Sequence, residues 1–238
     1  MKTICFVNQK GGVGKTASVV NIGAGLAKQD KRVLLVDLDP QESLTYWLGI
    51  ESPPKTVYDF FSGTASFNAC KVRHISGLDV IPSNEMLATI TPEIDALKRG
   101  LWGQPYDYVL LDCSPTLGIT TLAALTAADW VIIPLYADLL SLKGMSQLLG
   151  TIQTIQEQTN PGLLLKGIVA TRYSSRKRMH KDVLEQIKTF FSDVDIFTVR
   201  DNIAVAESPV KGKSVLDYKP KSPGAIDYLS IARKIAHV

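Results

Sequence analysis

Apolar residues along this chain fall into blocks that alternate between two spacings. Short uninterrupted runs rich in Val, Ile and Leu recur at 3–7, 32–37, 78–82, 108–112, 130–134 and 166–171, with a weaker run at 195–199. Such runs predict strands buried on both faces, as in a parallel sheet. Between them the apolar positions change to helical spacing. A helix is expected from Lys15 through Ala27. Residues 118–128 are rich in Ala and Leu, and 139–158 and 179–191 carry periodic apolar positions. The stretch 223–236 begins with Pro223 and spaces Ile226, Leu229, Ala232 and Ile235 for packing. Strand–helix alternation with short connections predicts one doubly wound α/β domain over residues 1–238, a mostly parallel sheet with helices on both faces. Residues 49–77 are the least regular, broken by Pro53, Pro54, Gly63 and Gly77, and only a short helix at 56–62 is expected there.

Composition narrows the class. The 238 residues suffice for one large core, and 45% hydrophobic with 21% charged residues is ordinary for a soluble globular domain. No apolar run approaches the ~18 residues of a membrane span. Met1 leads straight into a strand, so no signal peptide is expected. Cys5, Cys70 and Cys113 are odd in number and far apart. Cys5 and Cys113 fall within or at the end of strands, which predicts reduced core thiols and a cytoplasmic protein. The net charge of +3 is unevenly spread. Residues 166–238 hold 14 Lys and Arg against 8 Asp and Glu, whereas residues 1–165 hold 12 against 15. The basic third is either a solvated surface or a face that binds a polyanion.

The strongest chemical signal follows the first strand, at Lys10-Gly11-Gly12-Val13-Gly14-Lys15-Thr16. A strand that delivers a glycine loop into a helix is the context of a phosphate-binding P-loop. Glycines at 11, 12 and 14 let the backbone wrap an anion. The N–H groups of the loop, through Val13 to Ala17, and the helix N-terminus then point at the phosphates. Lys15 can reach the β- and γ-phosphates, and the Thr16 hydroxyl can bind Mg²⁺. The general pattern asks for glycine at position 9, where this chain has Gln9, and a second lysine, Lys10, opens the motif instead.

In a doubly wound sheet, ligands bind outside the carboxyl ends of the strands. Asp37, Asp39 and Asp112 stand there. Asp112 follows four apolar residues, the Walker B arrangement, and is expected to contact Mg²⁺ through water. Asp37 to Pro40 lies next to the glycine loop if the first two strands are neighbours.

These residues together resemble the ParA/MinD family of deviant Walker A ATPases, most closely its small ParA proteins without a helix-turn-helix domain. The resemblance rests on the loop at 10–16, Val-Asp-Leu-Asp-Pro-Gln at 36–41 and Leu-Leu-Asp-Cys-Ser-Pro at 110–115. It extends to Gly118-Ile119, Pro134, Lys143-Gly144, Gly212-Lys213 and Ser222 to Ala225. It implies ATP and Mg²⁺ as cofactors and catalytic roles for Lys10, Lys15 and Asp39. Lys10 would reach across a nucleotide-sandwich homodimer to the partner's phosphates, and Asp39 would orient or activate the attacking water. Asp37 would support Mg²⁺ or loop geometry, Thr16 and Asp112 would hold the metal, and Arg172 would stack on the base. A lysine supplied in trans ties hydrolysis to dimerisation. The chain departs from the family at Glu42-Ser43, at Thr198-Val199 and at Ala204.

Four functions compete within that family. A positioning ATPase binds nucleoid DNA without sequence preference as an ATP dimer and moves a plasmid, a chromosome origin or a protein assembly such as a carboxysome. A centromere-binding or cargo-adaptor partner stimulates its hydrolysis. Arg176, Lys177, Arg178, Arg200, Lys211, Lys213, Lys219 and Lys221 are candidates for its DNA face. A MinD-like membrane ATPase expects an amphipathic basic tail after the last helix, where this sequence reads His237-Val238. A reductase needs cluster-ligating cysteines, for which Cys113 has no suitable companion. A tyrosine kinase expects a tyrosine-rich tail. The sequence favours the DNA-binding reading, with nucleoid association and no membrane partner, over the membrane- or scaffold-associated alternative.

Overall fold

The apolar runs become a single eight-stranded sheet in the computed structural model, which describes residues 1–237 and, at 139, 140, 142 and 143, the backbone alone. In chain order the elements are β1 (Lys2–Phe6), α1 (Lys15–Ala27), β2 (Val33–Leu38), α2 (Ser43–Trp47), α3 (Val57–Phe61), β3 (Val72–Arg73) and β4 (Asp79–Ile81). There follow α4 (Ala96–Leu101), β5 (Tyr108–Cys113), α5 (Ile119–Ala127), β6 (Trp130–Tyr136), α6 (Leu139–Gln158), β7 (Leu164–Tyr173) and α7 (Arg178–Phe190). The chain closes with β8 (Asp195–Arg200), α8 (Ile203–Glu207), α9 (Val215–Tyr218) and α10 (Pro223–Ala236). The sheet runs β3-β4-β2-β5-β1-β6-β7-β8, and among these pairs β3–β4 alone is antiparallel.

Two expectations change. The first two long strands are not neighbours, because β5 lies between β1 and β2 and pairs with both. That insertion brings Asp112 to the centre, in register with Phe6 on one side and Asp37 on the other. The irregular stretch 49–77 holds the expected short helix and also β3, whose two residues are too few to leave an apolar pattern.

Strand side chains alternate between two cores. Cys5, Val36, Leu111 and Ile133 pack with helices α5, α6 and α7. Phe6, Leu35, Leu110 and Ile132 pack with α1, α9 and α10 on the opposite face. Full burial of one such side chain stabilises the fold by about 1.5–3 kcal/mol. Asp37 and Asp112 follow Val36 and Leu111 and therefore fall on the α1 face. Cys5 and Cys113 lie in the core as expected and bring their sulfurs to 3.3 Å, and Cys70 is buried as well.

Helix α10 starts where the sequence says, with Pro223 in its first turn and the Ser222 hydroxyl accepting the Ala225 N–H. It crosses α1 so closely that a Cβ on Gly25 would meet Ala232 Cβ at 2.6 Å. Any larger residue at 25 would drive α1 away and displace the loop that α1 anchors.

Candidate active site

Helix α1 begins without a side-chain cap and without an acidic residue in its first turn. Its leading N–H groups and the positive end of its dipole are thus free of internal competition for an anion. Gly14, the cap position, has φ 90° and Gly12 has φ 73°, conformations that glycine tolerates best. A Cβ at Gly14 would also stand 3.1 Å from Thr171 Cγ2.

Two side chains hold the loop from outside and one, Asn8, ties it from within. The Thr171 hydroxyl donates to the Val13 carbonyl (2.8 Å), the Tyr136 hydroxyl donates to that of Gly12, and the Asn8 amide donates to Pro134 (2.8 Å) while accepting the Lys10 N–H (3.0 Å). The ends of β6 and β7 therefore clamp a loop launched by β1.

Lys15 is only 7% exposed. Burial lowers its pKa, and the nearby carboxylates, Asp112 foremost and Asp39 after it, counter part of that shift. Asp112 is buried with both carboxylate oxygens lacking a hydrogen-bond partner. Burial raises its pKa well above the usual carboxylate range, and the facing Asp37 pushes it further, while the Thr16 hydroxyl, close by but outside hydrogen-bonding geometry, and Lys15 oppose the rise. Such a group is costly unless something completes it. Among the described residues, no three His, Cys, Asp or Glu side chains converge as a metal cage. Two unpartnered oxygens next to Thr16 instead fit a hydrated Mg²⁺ whose other ligands are water and phosphate.

Asp37 differs from Asp112. Its Oδ2 accepts the Thr45 N–H (2.9 Å) and hydroxyl (2.7 Å), and its Oδ1 accepts the Asp39 N–H (3.1 Å). Burial raises its pKa to about 6, and these donors, Thr45 foremost, hold it from rising further. Its hydrogen bonds go to loop geometry. Asp39 turns toward the loop region, with Oδ1 accepting the Gln41 N–H (3.0 Å).

A cavity of about 900 Å³ opens above these groups. Gly11, Lys15, Thr16 and Asp39 line it, and so do Arg172 near the end of β7 and Asn202, Val205 and Pro209 beyond the end of β8. Arg172 adopts φ 49°, and its guanidinium lies 5.2 Å from the Tyr136 ring centre. Lys10 lies on the same ring at 5.6 Å and forms an ion pair with Asp138 at 2.8 Å.

The basic candidates separate into groups. Arg176, Lys177 and Arg178 are exposed before and at the start of α7, in a turn tied by the Ser174 N–H donating to buried His180 Nδ1 (3.1 Å). Lys211, Lys213 and Lys221 are exposed around α9, on the opposite face of the sheet. Two others are engaged: Arg200 grips Asp227 through Nη2 (2.7 Å) and Nε (2.9 Å), and Lys219 pairs with Glu207 (2.8 Å).

Residues 1–165 match the family described as AAA domain. Over 99% of this chain and 98% of the relative, the sequence is 41% identical to the sporulation initiation inhibitor protein Soj of Bacillus subtilis. The chain belongs to the ParA/Soj family of P-loop ATPases. Another ParA/Soj relative, the chromosome partitioning protein ParA of Caulobacter vibrioides, is 37% identical over 99% of this chain and 94% of its own. A structure of cobyrinic acid a,c-diamide synthase from Mycobacterium smegmatis with bound ADP and magnesium superposes with a TM-score of 0.82 at 36% identity, covering 99% of this chain and 94% of that one. The septum site-determining protein MinD of Pyrococcus horikoshii shares the fold (TM-score 0.82, 22% identity, 98% and 95% covered).

Within this ParA/Soj-type site, sequence reasoning missed Tyr136, Thr45, Asn202 and Pro209. Tyr136 ends a strand at the carboxyl edge, so the rule that singled out Asp112 could have found it. Thr45, Asn202 and Pro209 belong to short elements with no periodic signal. The side chain of Lys143, part of the resemblance, lies outside the described residues, and so does the whole of Val238.

Proposed function

We propose that this chain is a Mg²⁺-dependent ATPase of the ParA type. In its ATP-bound state it dimerises and binds nucleoid DNA without sequence preference to position or segregate a plasmid, a chromosome origin or a protein assembly. A centromere-binding or cargo-adaptor protein stimulates hydrolysis, the dimer loosens and DNA is released. It works in the cytoplasm, on the nucleoid.

The observation that carries this reading is the convergence of Lys15, Asp39 and the unpartnered Asp112 beneath a glycine loop whose extra lysine, Lys10, lies outside the cluster. Phosphoryl transfer needs positive charge around the γ-phosphate and an oriented nucleophile, with little else for the protein to do. Lys15 and the α1 N–H groups bind the phosphates, and Asp39 orients the water. Mg²⁺, held by Thr16 and Asp112, supplies further positive charge at the phosphates. Asp37 fixes the Asp39 loop. Lys10 has one end on the loop and its ammonium on the surface, 38% exposed, where a second subunit can meet it. The 41% identity to Soj, against 36% to the mycobacterial structure, favours partitioning over the amide synthesis named for that structure.

Sedimentation of the Asp39→Ala variant with ATP, with ADP and without nucleotide tests the dimer. Dimers with ATP alone are expected, and a monomer in all three conditions rules the switch out.

A further inference from the structure

Thr45 makes a buried bridge between two parts of the sheet. Its hydroxyl donates to Asp37 Oδ2 at 2.7 Å and accepts the Ser83 N–H at 3.0 Å, while its own N–H donates to the same Oδ2 at 2.9 Å. Ser83 follows the end of β4, so the bridge ties the exit of β4 to the exit of its neighbour β2. Asp37 then holds the Asp39 N–H at 3.1 Å through its other oxygen. Thr45, Asp37 and Ser83 are respectively 2%, 0% and 1% exposed, so water does not replace a missing link.

We infer that Thr45 is a positioning residue for the hydrolytic step, setting the Asp39 carboxylate through Asp37 and drawing its own fixed point from the Ser83 backbone. The chemistry asks for a hydroxyl. One small group must donate to a carboxylate and accept from an amide at once, which Thr and Ser do and isosteric Val does not. Without it, Asp37 loses a donor inside a low-dielectric site, where charge-assisted hydrogen bonds are strong. The Asp37–Asp39 turn is then free to shift, and small misplacements of an orienting group cost rate rather than binding. The side-chain hydrogen bonds of Thr45 go to Asp37 and Ser83, and none joins it to Lys15 or to the α1 N–H groups assigned to the phosphates.

This rests on Asp39 orienting the water. A graded series of Thr45→Ser, Thr45→Cys and Thr45→Val, alone and with Asp39→Ala, reads the two ideas separately through kcat and the KM for ATP. The account expects Thr45→Val to lower kcat by about ten-fold or more with KM for ATP within about two-fold, Thr45→Ser to stay close to wild type and Thr45→Cys to fall between. In the Asp39→Ala background, Thr45→Val should change nothing further. Should Thr45→Val fail to fold, Thr45→Cys carries the same test. Wild-type kcat in Thr45→Val beside an inactive Asp39→Ala overturns this inference alone. So does a parallel loss of kcat and ATP affinity that Thr45→Ser does not avoid. Full turnover in Asp39→Ala removes the reading beneath it.

Discussion

Lys10 and Asp138 form an ion pair within one chain, Nζ to Oδ2 at 2.8 Å, although Lys10 is the residue expected to serve a second subunit. Asp138 also caps α6, accepting the Ser141 N–H at 2.7 Å. Both side chains are about a third exposed, so the pair contributes no more than about 1 kcal/mol. It is a resting place for Lys10 rather than a lock. Asp138→Asn keeps a good helix cap and removes the charge. The ATP dimer should tighten by about five-fold or less, measured by sedimentation equilibrium, whereas loss of the dimer would show that Asp138 supports the interface itself.

Lys15 and Asp39 should separate binding from chemistry. Lys15→Ala removes the buried cation at the phosphates and should abolish nucleotide binding. Asp39→Ala should retain ATP while turnover drops by about a hundred-fold or more. Trp47 lines the cavity, and its fluorescence offers the binding readout. Wild-type turnover in Asp39→Ala refutes its assignment.

Asp37 predicts a pH limb. All three of its hydrogen bonds are donated to a carboxylate, so protonation displaces one of them. With its pKa raised to about 6, kcat should fall as pH drops through about 6. The stability effect has the opposite sign: because the folded pKa lies above that of the unfolded chain, ionisation costs stability as pH rises from about 4 to 6. A kcat–pH profile flat from pH 7.5 to 5 contradicts the role.

The DNA face should be uneven. Neutralising any of Arg176, Lys177 or Arg178 that meets a phosphate should weaken binding alike on all sequences and lower the salt slope by about 0.9. Arg200 and Lys219 already hold Asp227 and Glu207, so their replacement should change DNA affinity less. Equal losses at Arg200 and Arg176 contradict this division.

The long strands, the major helices and the glycine loop were legible because each imposes a period or a spacing on the sequence. Asp39 and Asp112 were legible because strand ends are where parallel sheets place ligands. The position of β5 between β1 and β2 was not, since strand order depends on which helices cross which face. Thr45 acts through contacts between segments distant in sequence, and no local pattern marks it, whereas Tyr136 stands at a strand's carboxyl end and was open to the same rule as Asp112. Arg200 and Lys219 stand among the candidates for the DNA face because an ion partner 27 or 12 residues away is invisible in a charge count.

The central claim is that ATP, and not ADP, confers attachment to DNA. A gel shift with random-sequence DNA, using Asp39→Ala with ATP, with ADP and without nucleotide, tests it most directly. The account predicts a shift with ATP alone, lost as salt rises. Equal affinity in all three states contradicts it, and liposome binding without any DNA shift points to a membrane ATPase.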